Sequence, residues 1–319
     1  RIARHLEQAG ERAAAARAYL EAADAARAVY SNREALRFFG RSLQLLAPDD
    51  YDSRFRAHAG REQILRFLGR PNEQAIELEA MRTIARRHGG PRRRATALLR
   101  LARFELDAAR YDAVDEILPD AIEAAHASGD RSLELDALRL RAELARNQGD
   151  PAAALEACEE ALDRAGTSRE LFDKRAHVLI QKGILLRRAG RAEEAFTAYS
   201  EAIVIFRRLG IRRSEAFALS SLGVALTANG LYEDAIVVFR ASIHIDRETG
   251  DRLRLGRKLS NVGQLYDTLG DQEAGLAFVQ RALDVFEAVD DRAGRCDALS
   301  AIAEMMLEKG EEPSAAAVP

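Results

Sequence analysis

Ten polar residues recur at one phase of a roughly forty-residue spacing: Thr96, Arg100 and Arg103, then Asp136, Arg139, Glu143 and Arg146, then His177, Gln181 and Arg187. Five of the ten are arginine, although arginine supplies only 44 of the 319 residues. A guanidinium presents a planar fork of N–H donors that matches a carboxylate through two parallel hydrogen bonds. Aligned on one surface, Arg103, Arg139 and Arg146 would suit an acidic or C-terminal peptide segment. The alternative is blander: Asp136 and Glu143 hold these arginines in solvated ion pairs, and codon bias supplies the arginine. Only Lys174, Lys182, Lys258 and Lys309 are lysine, and alanine abounds, as a GC-rich genome would give.

At equivalent offsets further along lie Ser220, Ser221, Asn261, Gln264 and Asp267. A side-chain amide such as Asn261, in KLSNVGQLY, donates and accepts at once, which suits an extended backbone. A solvated polar residue is the equal alternative. A third feature is the run from Ala80 to Phe104, with eight arginines, one histidine and no acid. Arg86, Arg87 and His88 end a helix, where positive charge is favourable. Arg92, Arg93 and Arg94 begin the next one, where it is not. Either Asp112, Asp115 and Glu116 compensate internally, or the segment docks on an acidic domain surface. Nucleic acid is the weaker fit because interleaved aromatics are missing.

No catalytic constellation accompanies these residues. There is no GxxxxGK[ST] phosphate loop, no HExxH, no His–Cys set at zinc spacing and no Gly-x-Ser-x-Gly elbow. The six histidines are scattered. Cys158 falls at a helix-core offset and reads as a small buried hydrophobe. No enzyme activity, cofactor or metal is expected of this chain.

The elements that must carry these residues are set by glycine. Gly149, Gly190, Gly230, Gly270 and Gly310 recur about every forty residues, and Gly89, Gly129, Gly210 and Gly250 follow in a second phase. Two stops per period indicate stacked helical hairpins. The clearest unit runs from Ala218 to Asp251. Leu219, Leu222, Gly223 and Leu226 form one helical stripe; Tyr232, Ala235, Ile236, Phe239 and Ile243 form the next. Gly230 ends the first helix, while Gly250 and Asp251 supply a stop and an N-cap. Gly223 and Ala235 are small where two antiparallel helices must approach, as are Gly263 and Gly275 one unit later.

This pattern resembles the tetratricopeptide repeat, in a longer form of about forty residues common in bacterial regulators. The likeness is sharpest from about Arg131 to Gly310. It is looser between Asp52 and Ser128, where Ala109 stands at the turn and the unit at Gly69 carries an extra residue. The first fifty residues, with turns near Gly10 and Ser31, look like the junction following the ATPase module of multidomain regulators, among them signal-transduction ATPases, LuxR-type activators, cyclases and serine/threonine kinases. The resemblance implies an all-α, right-handed superhelical solenoid of antiparallel hairpins. Its expected parts are an irregular junction over 1–50, repeats over 51–310 and a tail over 311–319. The expected role is a non-enzymatic scaffold or sensor that binds a protein, a peptide or another domain of its own parent. The alternative is a homo-oligomerisation domain.

Acidic and basic residues nearly cancel, at 51 against 48, so the net charge draws the chain to neither nucleic acid nor membrane. No apolar run approaches the roughly 20 residues that span a bilayer. Cys158 and Cys296 lie several repeats apart, too far for a disulfide, which fits reduced thiols in the cytoplasm. The opening at Arg1, without methionine and already helical in pattern, is that expected of a piece of a larger protein.

Overall fold

The computed structural model describes residues 1–29 and 31–308. Among them are sixteen α-helices: α1 (Ile2–Gln8), α2 (Arg12–Ala28), α3 (Asn32–Leu45), α4 (Tyr51–Phe67), α5 (Pro71–His88), α6 (Pro91–Asp107), α7 (Tyr111–Ala127), α8 (Arg131–Asn147), α9 (Pro151–Ala165), α10 (Phe172–Arg188), α11 (Ala192–Leu209), α12 (Arg212–Ala228), α13 (Tyr232–Thr249), α14 (Arg252–Thr268), α15 (Gln272–Ala288) and α16 (Arg292–Glu308). They pack as consecutive antiparallel pairs, the arrangement of a tetratricopeptide-like solenoid. Two compact units divide the chain, one over Arg1–Leu144 and one from Ala145 onward. Lys309, Gly310 and the tail expected over 311–319 lie outside the described residues. Among the described residues no helix is long and apolar enough to cross a membrane.

The helix ends follow the local chemistry. Gly230 takes φ 74° after α12, and Gly250 takes φ 72° after α13, the left-handed turn that a Cβ disfavours. Asp251 then caps α14 by accepting from the Arg254 N–H at 3.3 Å. The missing turn glycine has a cost: Ala109 itself adopts φ 56°, as does Asp290 at φ 54°. Gly89 departs from its series, ending α5 in an extended conformation with φ −103°. At the N-terminus α2 packs on both α1 and α3, so that a single helix serves two pairings, as its close-set turns suggest.

Within each pair the small residues lie where the helices meet. A Cβ on Gly183 would lie 2.6 Å from the Tyr199 ring, and one on Gly223 would lie 2.8 Å from that of Phe239. In the α14–α15 pair the approach is backbone to backbone: a Cβ on Gly263 would lie 2.9 Å from the Gly275 carbonyl oxygen. Tyr199, Phe206, Phe239 and Phe286 are fully buried, so these rings fill the core between successive hairpins of the second unit. Cys158 is buried on α9, and Cys296 is exposed on α16.

Candidate peptide-binding grooves

In the first unit, α4, α6 and α8 bring Glu62, Arg66, Arg100, Arg103, Arg139 and Glu143 around one open cavity of about 450 Å³, with Gln63, Leu99, Asp136 and Leu140 completing its wall. Five of the residues expected to line a groove, Arg100, Arg103, Asp136, Arg139 and Glu143, therefore do converge. Their guanidinium groups are already engaged. Arg100 Nη1 donates to Glu62 Oε2 at 2.6 Å and to the Ala59 carbonyl at 2.7 Å. Arg103 Nη1 donates to Glu143 Oε2 at 2.6 Å, and Arg139 lies 3.8 Å from Asp136. Arg66 pairs with Asp107 at 3.1 Å. Glu62 is held on its other oxygen by the Gln74 amide at 2.9 Å. The wall thus alternates charge, and an incoming carboxylate would share guanidinium donors with resident ones. Each guanidinium has five N–H groups, so sharing is possible without breaking the pairs.

Glu62, Gln63 and Arg66 were not singled out from the sequence. Gln63 lies six residues before Gly69, as Arg103 does before Ala109 and Glu143 before Gly149, so the same offset count identifies it. Carried into the second unit, that offset falls on Ile184, Val224 and Gln264, where the charge has gone.

There Asn261 and Gln264 line an open slot of about 420 Å³ with Val224, Tyr232, Phe239, Leu265 and Thr268. Its two threonine hydroxyls are spent on backbone: Thr268 donates to the Gln264 carbonyl at 2.8 Å and Thr227 to that of Gly223 at 2.9 Å. The Asn261 and Gln264 amides make no side-chain hydrogen bond among the described residues and stand beside an apolar wall. Asp267 does not line the slot; its Oδ1 is buried without a hydrogen-bond partner. Ser220 is half-buried, and the Ser221 hydroxyl donates to the Phe217 carbonyl at 3.0 Å.

The remaining candidates are dispersed. The Thr96 hydroxyl donates to the Arg92 carbonyl at 2.8 Å. Arg146 belongs to the second unit, where its guanidinium donates to Asn147 Oδ1 at 3.1 Å. On α10, His177 meets Phe206 edge-on at 4.9 Å, and Gln181 and Arg187 are half-buried. Burial pushes the Tyr199 hydroxyl above its ordinary range, with the Arg187 charge pulling the other way.

Arg92, Arg93 and Arg94, which begin α6, each meet an acid. Arg92 pairs with Asp130 at 3.2 Å, Arg94 with Asp120 at 3.1 Å, and Arg93 with Asp52 while also donating to the His88 carbonyl at 3.0 Å. Because α6 and α7 run antiparallel, the start of α6 lies beside the later part of α7, where Asp120 stands, rather than beside Asp112, Asp115 and Glu116 at its start; Asp130 comes from the turn after α7 and Asp52 from α4. Arg86 and Arg87, in the last turn of α5, have no ion pair among the described residues.

The tetratricopeptide repeat family matches residues 174–248. No curated protein sequence matches the chain. Among solved structures, the chain is similar to the signal transduction ATPase with numerous domains and a tetratricopeptide repeat sensor from Pyrococcus horikoshii (TM-score 0.70, 16% identity, 88% of this chain and 42% of that one). The chain therefore spans less than half of that protein's length. It is also similar to the apo form of RapI (TM-score 0.69, 10% identity, 92% and 84%). A Rap protein complexed with competence and sporulation factor is a third (TM-score 0.63, 15% identity, 92% and 87%). At these identities the likeness shows the fold. The family match identifies tetratricopeptide repeats over residues 174–248, and the antiparallel helix pairing on either side of that stretch is tetratricopeptide-like.

Proposed function

We propose that this chain is the non-enzymatic sensor or scaffold region of a larger bacterial regulatory protein, working in the cytoplasm and taking up an extended peptide or protein segment. The observation that carries the reading is the slot in the second unit: two uncommitted amides, Asn261 and Gln264, beside the apolar wall of Val224, Tyr232 and Leu265. Amides read the backbone of an extended chain, while the wall takes its apolar side chains. The charged cavity of the first unit adds a preference for acidic segments through Arg103 and Arg139. Support also comes from the neighbours, one a repeat sensor attached to an ATPase and one a repeat protein complexed with competence and sporulation factor.

The test is a peptide-array screen of the 319-residue chain followed by titration of its best binders. Replacing Asn261 and Gln264 by alanine should weaken every extended peptide, roughly two- to tenfold for each hydrogen bond lost. Reversing Arg103 and Arg139 to glutamate should selectively weaken acidic ones. Binding that survives both double variants at full strength would overturn the assignment.

A further inference from the structure

On another face of the first unit, α5, α6 and α7 enclose an open cavity of about 420 Å³ lined by Arg82, Arg86, Arg94 and Asp120, with Ala85, Gly89, Ala97 and Leu98 between them. We propose that this cavity binds the phosphate of an organic phosphate monoester. Three guanidinium groups face it against a single carboxylate, leaving the lining two positive charges in excess. Arg94 is paired with Asp120 at 3.1 Å, but Arg86 has no ion pair among the described residues. Arg82 pairs at 2.8 Å with Glu79, which lies outside the lining; both side chains are about half exposed, so that pair is weak.

The excess charge selects the ligand. A carboxylate would balance only one of the two charges, whereas a phosphate monoester near neutral pH carries roughly −1.5 to −2 and three acceptor oxygens. Even after their own pairs, Arg82 and Arg94 retain spare N–H donors beside the whole fork of Arg86. The start of α6 strengthens the preference. Its first helical residue, Pro91, lies between the lining residues Gly89 and Arg94, and that end has no acidic residue in its first turn and no side-chain cap. The positive end of the helix dipole adds to this preference, although Asp52, Asp120 and Asp130 already meet the arginines of that first turn. Ala85, Ala97 and Leu98 provide an apolar wall for the organic part of the ester, so inorganic phosphate should bind more weakly.

Titration calorimetry of the 319-residue chain tests this with phenyl phosphate, inorganic phosphate, a phosphoserine peptide and acetate. Phenyl phosphate should bind saturably and more tightly than inorganic phosphate, and binding should strengthen as the phosphate loses its second proton near pH 6. Arg86→Gln should weaken it roughly tenfold or more, since a charge-assisted pair is lost. Arg92→Gln, at a residue paired with Asp130 away from the cavity, should leave it unchanged. If the phosphoserine peptide binds more tightly than phenyl phosphate, the phosphate comes from a protein; the reverse order indicates a small phosphorylated molecule. Absence of saturable binding up to about 10 mM, acetate binding as well as phenyl phosphate, or an Arg86→Gln variant that is helical by circular dichroism and binds undiminished would each overturn the proposal.

Discussion

Lys258 Nζ donates to Asp246 Oδ2 at 2.6 Å with both side chains buried, tying α14 to α13. The ammonium also reaches the Ala216 carbonyl of α12 at 3.4 Å, which the buried Ser242 hydroxyl meets at 2.6 Å. Three helices thus share one polar knot inside an apolar core. Burial pushes the Asp246 carboxyl up and the Lys258 ammonium down, each against the pull of its partner.

Removing one partner strands the other. Lys258→Met should therefore cost about 3–5 kcal/mol in chemical denaturation. Lys258→Met combined with Asp246→Leu should recover most of that loss, because a packed apolar pair is often as stable as a buried ionic one. Equal destabilisation by the single and double variants would show that the pair is not coupled.

Glu77 should contribute to the acid limit of the first unit. Its buried carboxylate accepts from His58 Nδ1 and Arg61 Nε, both at 2.6 Å. Burial raises its pKa, but the bonds from His58 and Arg61 outweigh it, and the carboxyl is held below its ordinary range. The unfolded chain therefore binds this proton at higher pH than the folded one. The stabilisation is complete above the usual carboxylate pKa of about 4.3 and is lost as pH falls through the lower folded value. Glu77→Gln should destabilise at neutral pH by about 1–3 kcal/mol and flatten the acid limb of a stability–pH curve. An unchanged slope below about pH 4 would assign acid unfolding to other groups.

The two turns without glycine should be improvable. Ala109→Gly and Asp290→Gly should each stabilise by roughly 0.5–1 kcal/mol, since a left-handed L-residue costs about 1–2 kcal/mol and glycine returns part of that in chain entropy. Differential scanning calorimetry reads the gain as a higher Tm. A lower Tm would mean that these turns are held by something besides backbone conformation.

Gly263 should tolerate a side chain poorly. Its nearest neighbours include the Gly275 carbonyl oxygen, and a backbone atom cannot rotate away as a side chain can. Gly263→Leu should cost about 1–3 kcal/mol or more and force α14 from α15. Gly223→Leu meets the Phe239 ring instead and should fall in the same range. Unchanged thermal unfolding of both would contradict the pairing.

Much of this was legible in the sequence because it is local. Gly230 and Gly250 mark turns by their own conformational preference, and Gly223 marks a contact by its missing side chain. Offset from the turn placed Arg100, Arg103, Arg139 and Glu143 on one wall, since helices in phase present equivalent faces. What those arginines hold was less accessible. Glu62 reaches Arg100 from 38 positions away, and Lys258 reaches the Ala216 carbonyl from 42. Whether such a pair closes depends on helix stacking and side-chain reach, which a repeat pattern leaves open. The same reason explains why Arg92, Arg93 and Arg94 meet Asp130, Asp52 and Asp120, which the offset count did not indicate.

The Phe286 ring lies against two glycines at once, Gly256 on α14 and Gly294 on α16. An aromatic side chain clasped on both sides can turn over only when the backbone on either side withdraws. Its flip rate, read from ring resonances, therefore measures how often the last described helix lifts from its neighbours. A single phenylalanine label would report the breathing of α16 against α14 and α15, and a ligand or domain that settles there should slow the ring before it changes any average distance.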